Sequence, residues 1–280
     1  MPAKLKARLS RITFLNMPLI VFMFFVLAPF YWVINTSLKT SQEVFQRPIT
    51  YWPQELIFSN YTDLFTQMNF GNNFLNSLYV AVFTTLIVGF LSLMGGYAMS
   101  RFRFRGKSFV YILLLVTQMF PAVVLMIPLF QTMNNLNLIN TLTSLVLVCS
   151  VTSLPFCLFM MMGFYNLVPQ SLEEAAQVDG ASLLGAVFRV LLPVMAPSLV
   201  AVGAFAFINA WNVYVYAVAF ITRTDNFTVP LVLRFFSGEV GTNYAGLAAA
   251  AVVSMLPVLI LFAFVQKHLV KGATSGAVKG

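Results

Sequence analysis

The chain is 280 residues long, 60% hydrophobic and only 9% charged, with a mean hydropathy of +0.87 and a formal net charge of +8. A soluble domain carries about 25% charged residues, so a water-soluble enzyme or nucleic-acid binder is excluded. The long apolar runs must satisfy their own backbone polar groups as helices, which makes the chain an all-α polytopic membrane protein.

Lys4, Lys6, Arg8 and Arg11 precede a first apolar run, Phe14–Ile34, long enough to cross a hydrocarbon core of about 30 Å. The basic start leads straight into this run without a small-residue cleavage site, so no cleavable signal peptide is expected. Residues 35–73 are mixed and polar and read as a soluble loop with a short helix near Tyr61. A second span covers Phe74–Met99, where Gly89, Gly95 and Gly96 permit close helix packing. The basic turn RFRFRGK, residues 101–107, leads to a third span, Phe109–Phe130, which contains Gln118, Pro121 and Pro128. An Asn-rich turn at 134–140 precedes the fourth span, Leu142–Tyr165. Cys149 and Cys157 fall in that run eight residues apart, too far along a helix to pair, and read as packing residues. After a polar stretch come a fifth span, Leu199–Ile221, a loop at 222–243 and a sixth span, Ala245–Val265.

Charge bias orients these six spans. The N-terminal arm, the 101–107 turn, the 166–197 loop and the tail hold twelve of the sixteen Lys and Arg residues. The opposite loops hold Lys39, Arg47, Arg223 and Arg234. The positive-inside rule then places the first group, and with it both termini, in the cytoplasm.

The polar stretch reads VPQSLEEAAQVDGASLLGAVFRVLLPVMAP from Val168 to Pro197. Ser171 and Glu174 have capping-box spacing, Gly180 sits where a short helix needs a left-handed cap, and Ser182 is placed to cap a second helix. Ala175 and Ala176 leave a nearly bare surface suited to close docking.

This stretch resembles the EAA loop of the membrane subunits of ABC importers, through Glu174, Ala175, Ala176, Asp179, Gly180, Ala181, Leu192 and Pro193. The rest of the chain is similar to the maltose-type carbohydrate permeases, through NSLYVA at 76–81, GGYAMSRFRFRGK at 95–107, QMFPAVVLMIPLF at 118–130, the Trp211-Asn212 pair and the terminal GAVKG. The match is to the smaller, six-helix member of the permease pair. The resemblance implies a type I ABC importer permease fold, residues 1–280 as one transmembrane domain, with 166–197 as its cytoplasmic coupling loop. It also implies a second permease subunit, two ATPase subunits that carry ATP and Mg, and an extracytoplasmic sugar-binding protein. The setting would be a bacterial or archaeal cytoplasmic membrane. This chain would import a sugar or oligosaccharide without an ATPase site of its own, cofactor or metal. No phosphate-binding loop of the Gly-x-x-x-x-Gly-Lys-Ser/Thr type is present.

The residues expected to couple to the ATPase are Glu173, Glu174, Ala175, Ala176, Asp179, Gly180 and Ala181. Intramembrane polar groups are costly and so become functional candidates, which nominates Gln118, Asn209 and Asn212 for the translocation path, with the aromatics Trp211 and Tyr214 nearby. The same residues also suit helix–helix hydrogen bonding. The segment Arg234, Phe235, Phe236, Ser237, Gly238 and Glu239 is the expected contact for the binding protein, a solvated connector being the alternative. An ABC permease for a polyamine or peptide is the alternative function. An ion-driven carrier would need ionisable residues in mid-membrane, and the central parts of the six spans contain no Asp, Glu, Lys or Arg.

Overall fold

The structure, a computed structural model, describes the backbone of residues 3–238 and 241–277 and the side chains of residues 16–236 and 242–267. Its helices are α1 (Ala3–Ser37), α2 (Ser41–Val44), α3 (Ser59–Thr66), α4 (Phe70–Arg101), α5 (Lys107–Thr117), α6 (Ala122–Asn135) and α7 (Leu142–Leu167). They continue with α8 (Ser171–Val178), α9 (Leu183–Ala186), a π-turn at Val187–Leu191, α10 (Leu192–Val194), α11 (Ala196–Trp211), α12 (Val215–Phe220), α13 (Val229–Val232) and α14 (Tyr244–Ala277). A two-residue antiparallel ladder pairs Ser237–Gly238 with Gly241–Thr242.

Among the described residues, four stretches are long and apolar enough to span a bilayer: Asn16–Ser37, Phe70–Arg101, Leu142–Leu167 and Tyr244–Lys267. The count reaches six when two bent pairs are included, α5 with α6 and Leu183–Val194 with α11. The expected third span is therefore not one straight rod, since α5 and α6 meet at 104°. Pro121 causes the break. It lacks an N–H and disfavours helical backbone in the residue before it, and here it sits in extended conformation at the start of α6. The expected fifth span also divides. The helix stops at Trp211, with Asn212 as its cap, and resumes at Val215.

The chain forms two compact units, one of Met1–Asn69 with Phe235–Met255, the other of Phe70–Arg234 with Leu256–Gly280. In the first, the loop after α1 is stapled by buried polar side chains. Asn60 Nδ2 donates to the carbonyls of Ser37 and Lys39, both at 2.9 Å, and Glu43 Oε1 accepts from Thr50 Oγ1 at 2.8 Å and from the Gln54 N–H at 3.0 Å.

The second unit is built on α4, α7 and α11. Val88, Leu93 and Tyr97 of α4 pack with Cys157, Met161 and Tyr165 of α7, and Val202 and Ala206 of α11 close this core together with Val187 and Leu191 of the π-turn. Gly96 explains how α4 and α7 come so close. A Cβ there would lie 2.9 Å from two Met161 side-chain atoms, and essentially no real Cβ makes such a contact. Both cysteines are buried and unpaired, as packing residues should be. At the start of α4, Asn76 Nδ2 donates to the carbonyls of Asp225 at 2.8 Å and Phe227 at 3.0 Å, and Ser77 Oγ accepts the Val229 N–H at 2.7 Å. The outward faces of these helices remain apolar: Leu86 and Phe90 on α4, Ile112 on α5 and Ile127 on α6 are all exposed. Such a surface is stable only against lipid or another protein.

Candidate functional site: a docking helix and a polar cavity

The loop between α7 and α11 contains the eight-residue helix α8. An isolated helix this short is marginal, so its ends and its inner face must be held. Its C-terminus closes with a Schellman motif. The Gly180 N–H donates to the Gln177 carbonyl at 3.0 Å and the Ala181 N–H to the Ala176 carbonyl at 2.9 Å, with Gly180 left-handed at φ +87°. Ser182 caps α9, accepting the Gly185 N–H at 3.1 Å. The capping box expected at the other end does not form. Ser171 is already the first helical residue, Gln170 occupies the cap position, and no side chain caps the helix.

The inner face carries the larger surprise. Glu173, 5% exposed, points into the protein, whereas Glu174 points out. Arg101, the last residue of α4, donates from Nε to Glu173 Oε1 at 2.5 Å, and both side chains are at most 8% exposed. The Tyr97 hydroxyl, one turn earlier on α4, donates to Glu173 Oε2 at 3.0 Å. Arg101 Nη2 also donates to the Val168 carbonyl at 2.8 Å, at the cap of α7. A cation there complements the negative end of the helix dipole. Ser100 Oγ donates to Asn166 Oδ1 at 2.6 Å beside this cluster. Three helix ends thus converge on one guanidinium and one carboxylate. Losing one member of such a buried pair strands the other charge, which costs about 3–5 kcal/mol. A signal for this pair does exist in the sequence: two opposite charges at the edges of apolar spans, on the same side by parity.

Ala176 is buried beside Glu173 on the inner face of α8. Glu174, Ala175, Gln177, Val178 and Asp179 face outward, with Val178 88% exposed. Leu183 and Leu184 of α9 extend that apolar surface, also exposed. The seven residues expected to dock therefore divide. Glu173 and Ala176 fix the helix from within, and the others form or shape the outer surface.

The five residues nominated for a translocation path also divide. Gln118, Asn209, Asn212 and Tyr214 line one cavity of about 290 Å³, together with Thr152, Ser153, Phe205 and Tyr216. The bend at Pro121 and the break after Trp211 put three of them at helix ends: Gln118 caps α5, Asn212 caps α11 and Tyr214 precedes α12, while Asn209 lies within α11. Asn209 Nδ2 donates to the Phe205 carbonyl and Asn212 Nδ2 to the Ile208 carbonyl, each at 2.9 Å. Gln118 Nε2 makes a long contact of 3.4 Å to the Thr152 carbonyl. Trp211 does not belong to this set. It is 3% exposed, edge-on to Phe74 at 5.4 Å and stacked with Phe207 at 6.1 Å. No group of His, Cys, Asp and Glu suited to a metal ion occurs among the described residues.

In the 222–243 loop, Arg234 and Phe235 are exposed and Phe236 is buried, its carbonyl accepting the Asn243 N–H at 2.9 Å. Ser237 and Gly238 lie on the short ladder. Glu239 lies outside the described residues.

Comparison with known proteins gives a consistent result. The permease protein SmoH of the sulfoquinovosyl glycerol transport system of Agrobacterium fabrum is 35% identical over 91% of this chain and 89% of its own length. The inner membrane ABC transporter permease protein YcjP of Escherichia coli is 33% identical over 98% of this chain and 99% of its own. The permease protein AraQ of the arabinooligosaccharides transport system of Halalkalibacterium halodurans is also 33% identical, over 92% of each chain. Among solved structures, a chain of a bacterial ABC transporter involved in the import of the acidic polysaccharide alginate superposes with a TM-score of 0.78. That match covers 95% of this chain and 98% of the other at 23% identity, a likeness of fold. The family model for the binding-protein-dependent transport system inner membrane component matches residues 91–275, and the chain belongs to that family.

Proposed function

We propose that the chain is the membrane-spanning permease subunit of an ATP-driven importer for a sugar or oligosaccharide. The observation that carries this is α8: a short helix seated by its inner face, with Glu174, Ala175, Val178 and Asp179 exposed on its outer surface. Such a surface fits a groove on a cytoplasmic ATPase subunit. Family membership and the names of the sugar-system relatives support the same reading.

In this reading both termini and α8 lie in the cytoplasm, beside two ATPase subunits that bind ATP and Mg. A second permease subunit covers part of the apolar outer face, and an extracytoplasmic binding protein meets Arg234 and Phe235. ATP is the ligand with different affinity for the two states of the complex, so closure of the ATPases shifts the population between inward- and outward-facing permease. This chain transmits that motion and does no covalent chemistry. Gln118, Asn209, Asn212 and Tyr214 offer amide groups and an aromatic face along the path, chemistry that suits the hydroxyls and apolar ring faces of a sugar.

The test is co-purification of the complex, followed by ATP hydrolysis in proteoliposomes. Hydrolysis stimulated by sugar-loaded binding protein is the expected result. A complex in which α8 contacts no ATPase, or whose hydrolysis is indifferent to sugar, overturns the reading.

A further inference from the structure

We infer that Arg101 is a positioning residue, and that its ion pair with Glu173 locks α8 to α4 so that the two move as one rigid body. The inference rests on the reading of α8 as the docking helix. A force applied to α8 has poor routes along the chain. On one side a short connection, 168–170, leads to α7, and on the other the left-handed turn at Gly180 separates α8 from α9. The transverse route is different. Both oxygens of Glu173 are engaged, one by Arg101 and one by Tyr97, two residues of a single helix one turn apart. Tyr97 is fixed in turn by edge-on contacts with Tyr165 at 5.5 Å and Phe102 at 5.7 Å.

The helix that receives this grip is unbroken for 32 residues, a rod of about 48 Å at the usual helical rise. Its opposite end holds another segment. Asn76 grips the carbonyls of Asp225 and Phe227, and Ser77 takes the Val229 N–H. Phe74, beside them, packs on Trp211 at the end of α11. The path is therefore continuous: α8, Glu173, Arg101 with Tyr97, the α4 rod, then the 225–229 segment and the end of α11. The third span cannot serve in this way, because α5 and α6 are bent by 104°.

The measurement is the distance between spin labels at Gln177 on α8 and Phe90 on α4 in the assembled transporter, with Cys149 and Cys157 replaced by alanine. With the ion pair intact, one narrow distance distribution is expected, the same in nucleotide-free and ATP-trapped complexes. Arg101→Ala and Glu173→Gln should broaden it and raise the ATP consumed per solute imported by about fivefold or more, with Arg101→Lys in between. A label distance that changes between the two nucleotide states of the intact pair overturns the inference, and that result needs no variant to fold. So does a normal ATP-to-solute ratio in both Arg101→Ala and Glu173→Gln. If the intact complex itself shows no ATP-dependent uptake, the docking reading fails instead, and the two failures are thereby distinguished.

Discussion

Two polar regions of this protein, the inner face of α8 and the cavity, are built on opposite plans. On the inner face of α8, a carboxylate and a guanidinium are buried together, and both carboxylate oxygens and two guanidinium nitrogens have partners on a different helix or at its cap. In the cavity, the polar groups are neutral amides and hydroxyls, and two of the three amides bond to the backbone of their own helix one turn back. The first plan ties helices into one position, because leaving it strands a charge in a dry site. The second ties helices weakly, because Asn209 and Asn212 keep their bonds however their helix moves and only Gln118 reaches another helix, at 3.4 Å. A docking site that must pass on force needs the former. A passage that must change shape and release its solute is served by the latter.

The largest expected effect comes from a residue that sequence placed in the path and the structure places in the core. Trp211→Ala should destabilise the protein by about 3–5 kcal/mol, read as a fall in melting temperature, and should leave solute selectivity unchanged. Altered selectivity at full stability would put Trp211 back in the path and blur the contrast. Next is Gly180→Pro. A φ of +87° is closed to proline, and the Gly180 N–H that bonds Gln177 would be lost. A local cost of about 3 kcal/mol should leave membrane insertion intact and uncouple ATP hydrolysis from uptake. Coupled uptake at the normal rate would show that the shape of the α8 terminus is unimportant. The smallest effect belongs to the cavity. Asn209→Ala and Asn212→Ala break only bonds within their own helix and should each change stability by about 0.5 kcal/mol or less, while sugar affinity during uptake shifts. Unchanged uptake and selectivity in both would leave these amides with a packing role alone.

Local chemistry was legible from the sequence. Hydropathy located the membrane runs, because each must close its own hydrogen bonds within about 20 residues. The short helix near Tyr61, the left-handed Gly180, the Ser182 cap and the close packing at Gly96 all follow from the demands of neighbouring residues. The expectations that failed were those decided by distant parts of the chain. Ser171 and Glu174 have the right spacing for a capping box, yet the helix begins one residue earlier than that box requires, with its inner face fixed by α4. Pro121 was visible, but a proline in an apolar run fits both a mild kink and a 104° bend, and packing chooses between them.

The sequence by itself determined the membrane class, the expected orientation and the place of the short helix α8. Hydropathy, charge bias and helix caps are properties of single stretches, and they act before distant parts of the chain meet. Only the tertiary structure decided which of two adjacent glutamates faces inward, that Trp211 lies outside the cavity, and what holds α8. Arg101 and Glu173 are 72 residues apart. They find each other because the α4–α7 core sets their helix ends side by side, and once there neither charge can be left unpaired.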